Sequence, residues 1–166
     1  MDAIAATAAT ATAAHRLGRF ELRQLIGRGA RSMAWRVGDP RSGQELLLVL
    51  PRRQPPDSAA LQSWLDQARR GARLVHPNLA HAVEVGEQER WPYVAYDSAL
   101  GPTLAERPTA RDGEPAADIA RWMAQALAGL AFAHDGGLAH HDVQPFLLAV
   151  ADNGTLRVLG LEVAGD

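Results

Sequence analysis

Gly137-Leu138-Ala139-His140-His141-Asp142-Val143-Gln144-Pro145 is the stretch on which the reading turns. Upstream of it, Ile119, Trp122, Met123, Ala126, Leu127 and Leu130 recur at three- and four-residue intervals, the spacing of one helical face. Alanines fill much of the opposite side. Glu114-Pro115 opens this helix, because proline suits a first helical turn, and Asp135-Gly136-Gly137 stops it after His134. Downstream, Phe146–Val150 and Leu156–Leu161 are short apolar runs separated by Asp152-Asn153-Gly154, and Asn-Gly is a strong hairpin signal. A helix, an irregular loop with two histidines and an aspartate, and a hairpin follow one another.

Working back toward the start, the pattern is one of strands. Phe20–Ile26 alternates apolar and polar residues, Gly27–Ser32 is loop chemistry with two glycines, and Met33–Val37 alternates again. The pair predicts an antiparallel hairpin with a long glycine-rich turn. Glu45–Leu50 predicts a third strand, apolar on both faces, and Pro51–Pro56 a Pro/Arg linker. Asp57 or Ser58 caps a helix running to about Leu74, with Leu61, Trp64, Leu65, Ala68 and Ala72 on its apolar face. His76-Pro77-Asn78 breaks it. Strands at Ala80–Gly86 and Trp91–Asp97 follow, and Thr103 opens a short helix that Pro108 ends. Five strands with one helix inserted after the third, then helices and a small hairpin, make an α+β chain.

Composition narrows the chemistry. The sequence has 166 residues, 47% of them hydrophobic and 22% charged, enough for one domain with a core. Seventeen basic and 19 acidic residues give a net charge of −2, which excludes a strongly basic nucleic-acid binder. There is no cysteine, so a disulfide scaffold, a thiolate zinc site and a cysteine nucleophile are excluded. No apolar run approaches the roughly 18 residues that span a membrane. All 17 basic residues are arginine, and chemistry that needs a lysine amine is closed to this sequence. The first residues are alanine and threonine with no basic n-region. They read as a disordered tail rather than a targeting peptide, with the cytoplasm as default location.

In this order the elements resemble the eukaryotic-like serine/threonine protein kinases of bacteria, over about residues 18–164. Gly27-x-Gly29-x-x-Ser32 resembles their glycine-rich loop, with Ala34 where a valine usually covers the nucleotide base. His76-Pro77-Asn78 matches the tripeptide after the regulatory helix. Pro92–Asp97 is similar to the strand entering the hinge, with Tyr96 as gatekeeper and Asp97 and Ala99 in the hinge. Residues 124–134 resemble the central C-lobe helix, and Gly137–Pro145 the catalytic loop. The implied fold is kinase-like, a five-stranded antiparallel N-lobe sheet with one helix plus the first, mainly helical part of the C-lobe. The implied boundaries are a disordered Ala/Thr-rich tail over 1–17, an N-lobe over 18–97, and a partial C-lobe over 98–166 ending at the Asp-Phe-Gly-equivalent position.

Set against this family, the sequence departs at most of the positions that hold nucleotide and metal. Val49 stands where the phosphate-binding lysine belongs, and Gln67 replaces the glutamate that pairs with it. Asp142 occupies the general-base position, as a vestige. Gln144 replaces a lysine, Leu147 a metal-holding asparagine, and Gly160 the metal-binding aspartate, with Glu162 two residues off. Kinase catalysis is positioning plus charge neutralisation, so these losses imply negligible phosphoryl transfer.

The resemblance therefore implies a catalytically deficient kinase-like domain, a pseudokinase, serving as a binding, scaffolding or regulatory module. The alternatives are an active ATP-dependent serine/threonine kinase with rearranged groups, or an unrelated small α+β interaction domain. Residues placed for nucleotide, should it bind, are Gly27, Gly29, Ser32, Ala34, Tyr96, Asp97 and Ala99. No metal site and no cofactor are expected, beyond ATP held without Mg²⁺ by backbone N–H groups with Arg28 and Arg31 nearby. Arg52 and Arg53 read as a solvated face of the linker. With large apolar side chains nearly all round, helix 119–134 is expected to leave an exposed patch for a protein partner or self-association. The chain is expected to be a fragment or degenerate form of a longer kinase-like protein, with no nucleic acid or membrane as partner.

Overall fold

A computed structural model describes residues 15–107 and 114–161. In chain order the elements are β1 (Arg16–Leu17), β2 (Phe20–Arg28), β3 (Ser32–Asp39), β4 (Gln44–Pro51), α1 (Ser58–Gly71), β5 (Ala82–Gln88), β6 (Trp91–Asp97), α2 (Ala116–Asp135), β7 (Leu148–Val150) and β8 (Leu156–Val158). Single 3-10 turns lie at Ser98–Leu100 and Pro145–Leu147. β1 to β6 form one antiparallel sheet in the order β1-β2-β3-β4-β6-β5, and β7 and β8 form a separate hairpin.

The main sheet has six strands, not five. Arg16 and Leu17 pair with Glu21 and Phe20. Gly18, at φ +53°, lets the chain reverse within two residues, and Leu17 is buried by the reversal. The tail assigned to 1–17 therefore does not include Arg16 and Leu17; residues 1–14 lie outside the described residues. Other boundaries move too: the strand expected at Ala80–Gly86 is Ala82–Gln88, and those expected at Phe146–Val150 and Leu156–Leu161 shorten to Leu148–Val150 and Leu156–Val158. The glycine-rich turn is short rather than long: β2 and β3 extend until three residues remain, and Gly29 N–H donates to Ser32 O at 2.8 Å. Thr103 opens a turn rather than a helix, because its amide donates to Glu106 Oε2 at 2.7 Å and closes the chain locally. Pro108 lies outside the described residues. α1 ends at Gly71, since Ala72 N–H still reaches Ala68 O but Arg73 and Leu74 tighten onto Arg70 and Gly71.

β4 is buried on both faces, as its unbroken apolar run requires. Side chains alternate along a strand. Leu46, Leu48 and Leu50 join Leu17, Phe20, Val37 and Tyr93 inside the curled sheet, while Leu47 and Val49 face the C-terminal part of the chain. The curl brings the sheet's two ends together. Phe20 meets Tyr93 edge-on at 5.1 Å between ring centroids. Arg19 reaches Asp39 at 3.2 Å and also pairs with Glu84, which accepts the Tyr93 hydroxyl. Burial and the neighbouring Glu84 push the Tyr93 phenol up to about 12.

α1 is capped by Asp57, whose Oδ1 accepts the Ala60 amide at 2.8 Å, and it buries Leu61, Leu65 and Ala68. A second core gathers Leu79, Trp122, Ala126, Ala133, Leu148, Val150, Leu156 and Val158 between α2 and the hairpin. Asn78 joins the two halves: its side-chain amide donates to Gln125 Oε1 at 3.0 Å and to Leu156 O at 2.9 Å. α2 passes so close that a Cβ on Gly129 would stand 2.7 Å from Asn78 O. The apolar positions of α2 divide. Trp122 and Ala126 are buried, whereas Ile119, Met123, Leu127 and Phe132 are exposed, Leu127 at 66%.

Because Phe20 is completely buried where the two ends of the sheet meet, Phe20→Ala should lower the unfolding free energy by about 3–5 kcal/mol, read by urea denaturation. A loss under about 1 kcal/mol would mean that this end of the sheet is not closed.

Candidate functional site

The site is built where the β2–β3 hairpin tip meets the loop after α2. Ser32, the first residue of β3, is 2% exposed. Its hydroxyl donates to Asp142 Oδ2 at 2.7 Å and its amide to the same oxygen at 3.2 Å. Gln144 Nε2 donates to Asp142 Oδ1 at 3.1 Å, and the Arg31 amide adds a further donor. Burial pushes the Asp142 carboxyl up, but these donors outweigh burial and hold it below its ordinary value. Asp142 is therefore an ionised acceptor with both oxygens occupied by the chain's own donors.

The loop around Asp142 is fixed from beneath by His140. His140 Nε2–H donates to Leu159 O at 2.7 Å, which leaves Nδ1 to accept the Asp142 amide at 3.3 Å. Burial holds the imidazole below its usual range, so it is neutral. His141 takes a left-handed conformation at φ +56° and turns outward. Among the described residues, no three side chains of histidine, aspartate or glutamate come together as metal ligands would.

The glycines of the hairpin are in contact with this loop. A Cβ on Gly27 would stand 2.3 Å from the Phe146 ring, and one on Gly29 2.9 Å from Asp142 Oδ2. Behind them, Ala34, Val49, Tyr96, Phe146 and Leu147 form one buried cluster with Leu47 and Leu159. Gly160, at φ +76°, donates its amide to Tyr96 Oη at 2.9 Å. A Cβ there would meet Leu147 at 3.2 Å and Val49 at 3.6 Å. The structure thus brings Val49, Leu147 and Gly160 against one another, and Gly27, Gly29 and Ser32 against Phe146 and Asp142.

The remaining positions scatter. Asp97 and Ala99 are at the surface, where Asp97 Oδ1 accepts the Ala99 amide and shapes the following turn. They border a cleft of about 680 Å³ with His76, His81 and Leu100, away from the hairpin tip. Gln67 lines a different cleft, together with Trp64, the linker and the hairpin tip. Glu162 lies outside the described residues. Two residues escaped the sequence reading. Phe146, which packs under Gly27, was visible as part of the apolar run Phe146–Val150 but was assigned to a strand. Glu106 takes a two-pronged contact from Arg36, at 2.8 and 3.0 Å, and ties β3 to the segment after β6; no spacing rule pairs residues 70 apart.

No protein-family model matches the chain. Curated relatives do. It is 29% identical over 153 residues to putative CBL-interacting protein kinase 13 of Oryza sativa subsp. japonica, covering 90% of this chain and 30% of that one. It is 26% identical over 157 residues to the probable serine/threonine-protein kinase PknB of Bifidobacterium longum, covering 89% of this chain and 23% of that one. It is 29% identical over 141 residues to serine/threonine-protein kinase PknL of Mycobacterium tuberculosis, covering 84% and 35%. The chain spans between about a quarter and a third of the length of these relatives. With the strand order, the hairpin and the His-His-Asp loop already in place, these matches make the chain a protein-kinase-like domain, related to the serine/threonine protein kinases.

Proposed function

We propose that this is a catalytically inactive kinase-like module, one that works through its surfaces as a binding or scaffolding unit. One observation carries the reading. The three positions where the family resemblance puts a phosphate-binding lysine and two metal-holding side chains are Val49, Leu147 and Gly160, and they are packed together in a single apolar cluster. Phosphoryl transfer needs cations and metal ions set around the transferring group. An apolar, close-packed cluster supplies neither, and a cation forced into it would be desolvated without a partner.

Asp142 fits a structural role within the same reading. Its two oxygens take hydrogen bonds from Ser32, Gln144 and backbone amides, so it anchors the hairpin tip rather than facing a substrate hydroxyl. The partner surface we assign is the outward side of α2, where Ile119, Met123 and Leu127 are exposed at four-residue intervals, with Arg121 the one charged residue between positions 119 and 127.

Transfer of radiolabelled phosphate from ATP to a generic acceptor should stay at background, and Mg²⁺ or Mn²⁺ should add nothing to any thermal shift seen with ATP. Transfer that Asp142→Asn abolishes would overturn the reading in favour of an active kinase. Val49→Lys should not restore activity. It should lower stability by several kcal/mol, because the new ammonium would be buried without a carboxylate at Gly160 or Gln67.

Stability should also fall with acid in a way that reports Asp142. The folded carboxyl titrates below its ordinary 3.8, so around that pH the unfolded chain binds more protons and stability rises with pH. The contribution is complete above pH 3.8 and its neighbourhood, and is lost as pH falls through the lower folded value. Neutral, buried His140 has the same sign, with its loss starting near 6.5. Asp142→Asn should cost about 1–3 kcal/mol at pH 7 and flatten the urea-midpoint profile between about pH 5 and 3. The slope that remains belongs to His140 and to Glu84 and Glu106, whose carboxyls Arg19 and Arg36 hold low. An unchanged profile would remove the anchoring role.

A further inference from the structure

α2 carries two seams, and the described residues fill one of them. Trp122, Ala126, Gly129 and Ala133 follow one another at intervals of four, three and four residues and are buried against the hairpin and Asn78. On the outward side Ala117, Ala120, Ala124, Leu127, Ala131 and His134 recur at intervals of three and four, and each of them is exposed. Alternating threes and fours are the spacing along which a second helix packs. A helix face left to water carries charge. This stretch has a single charged residue, Arg121, between positions 119 and 133. Gln125, its other polar residue, is turned to the hairpin, where it donates to Gly154 O at 3.2 Å and accepts the Leu156 amide at 2.8 Å.

The outward seam is complementary to itself when turned end for end, as a closed two-fold contact demands. With Leu127 set on Ala124 of an antiparallel copy, Ala120 falls opposite Ala131 and Ala117 opposite His134, so each larger side chain meets a small one. A parallel copy would set Leu127 on Leu127 and hold the alanine layers apart. It would also lay the two helix dipoles in the same sense, whereas the antiparallel copy puts each end beside its opposite. Charge follows the same order. Arg121 and Asp135 are exposed on one flank of the seam, and among the described residues Asp135 has no ion-pair partner. Side chains lean toward their own helix N-terminus, which carries Arg121 toward Asp135 of the antiparallel copy. The parallel copy would bring like charges together.

We propose that the outward seam of α2 binds a second copy of this chain, antiparallel about a two-fold axis between Gln125 and Ala126, with Leu127 seated on Ala124 of that copy. The inference rests on the surface reading above and names its partner. α2 has 20 residues, which makes a face about 30 Å long and roughly 10 Å across. That is less than the roughly 800 Å² per partner of a standard interface, so the dimer belongs to the weak class.

The test is sedimentation velocity of the whole chain from about 1 μM to about 1 mM, the range in which a weak contact fills. The mass should climb from 17.8 kDa toward twice that and no further. Leu127→Glu should weaken the dimer about tenfold or more, because each new carboxylate would be desolvated against an alanine. Arg121→Glu and Asp135→Arg should each weaken it as well. An equimolar mixture of those two variants should recover it, since opposite charges then meet at both ends. Arg41→Ala, on the turn between β3 and β4, should leave it unchanged. Circular dichroism confirms that each variant is folded, and every substituted side chain is exposed. A chain that stays monomeric, association that ignores Leu127→Glu, a mixture no stronger than its components, or growth beyond two copies would each overturn the proposal. Radiolabelled transfer on the same samples separates the two readings. A monomer with background transfer overturns the dimer alone, and a dimer that transfers phosphate overturns the inactive module alone.

Discussion

The contact on which the rest of the site depends is the one between Ser32 and Asp142, 110 residues apart in sequence. A buried carboxylate is costly unless its lone pairs are met. Asp142 meets them with a hydroxyl, a side-chain amide and backbone amides drawn from two otherwise separate parts of the chain. Satisfying the charge therefore requires the hairpin tip to lie on the loop. Gly29 has to be glycine for that approach, since a Cβ there would press on the carboxylate at 2.9 Å. The charge that a phosphotransferase would direct at a substrate is here turned inward.

Behind that contact, the substitutions are mutually consistent. Removing a buried cation while leaving its carboxylate partners would strand charge, and the reverse would strand the cation. On the reading proposed above, Val49, Leu147, Gln67 and Gly160 remove both signs together. What remains is space, and Phe146 and Leu147 fill part of it under Gly27 and beside Gly160. Gly160 keeps one polar function, donating its amide to Tyr96, so the only polar group of the gatekeeper position is also engaged within the core. On that reading packing takes the place of electrostatics at Val49, Leu147 and Gly160, which touch one another in the apolar cluster.

Much of this was legible in the sequence, and the reasons differ by element. β4 was readable because an unbroken Leu46–Leu50 run has no polar face to show solvent. α1 was readable from its spacing and from Asp57 as cap. That Val49, Leu147 and Gly160 share one neighbourhood follows from the resemblance that placed all three about one site, and the structure does bring them together. β1 was not readable: two residues beside an alanine-threonine run carry no period, and only the curl of the sheet gives Leu17 a place to be buried. The role of Asp142 was half legible. Its position in the loop was plain, but which donors would face it depends on how far β2 and β3 extend before turning, a matter of pairing rather than composition. The meeting of the linker residue Arg52 with Gly29 and Arg31 was hidden for the same reason, because only the hairpin tip's fold over the linker brings them together.

The same contacts bear on motion. In a two-lobed enzyme that binds between its lobes, the lobes must part and close. Here they are fastened on three sides. Ser32 and Asp142 join them at the front, and the Val49–Leu147–Tyr96 cluster fills the middle. At the back, Arg36 grips Glu106, while Asn78 is bonded to both the hairpin and α2. Opening would expose an apolar core and strand the Asp142 carboxylate at once, and neither cost could be met without the other. Surfaces that keep their shape suit recognition, since little ordering entropy is lost on binding. On the reading proposed above, a module built this way works through its fixed outline rather than through a cleft that opens and closes.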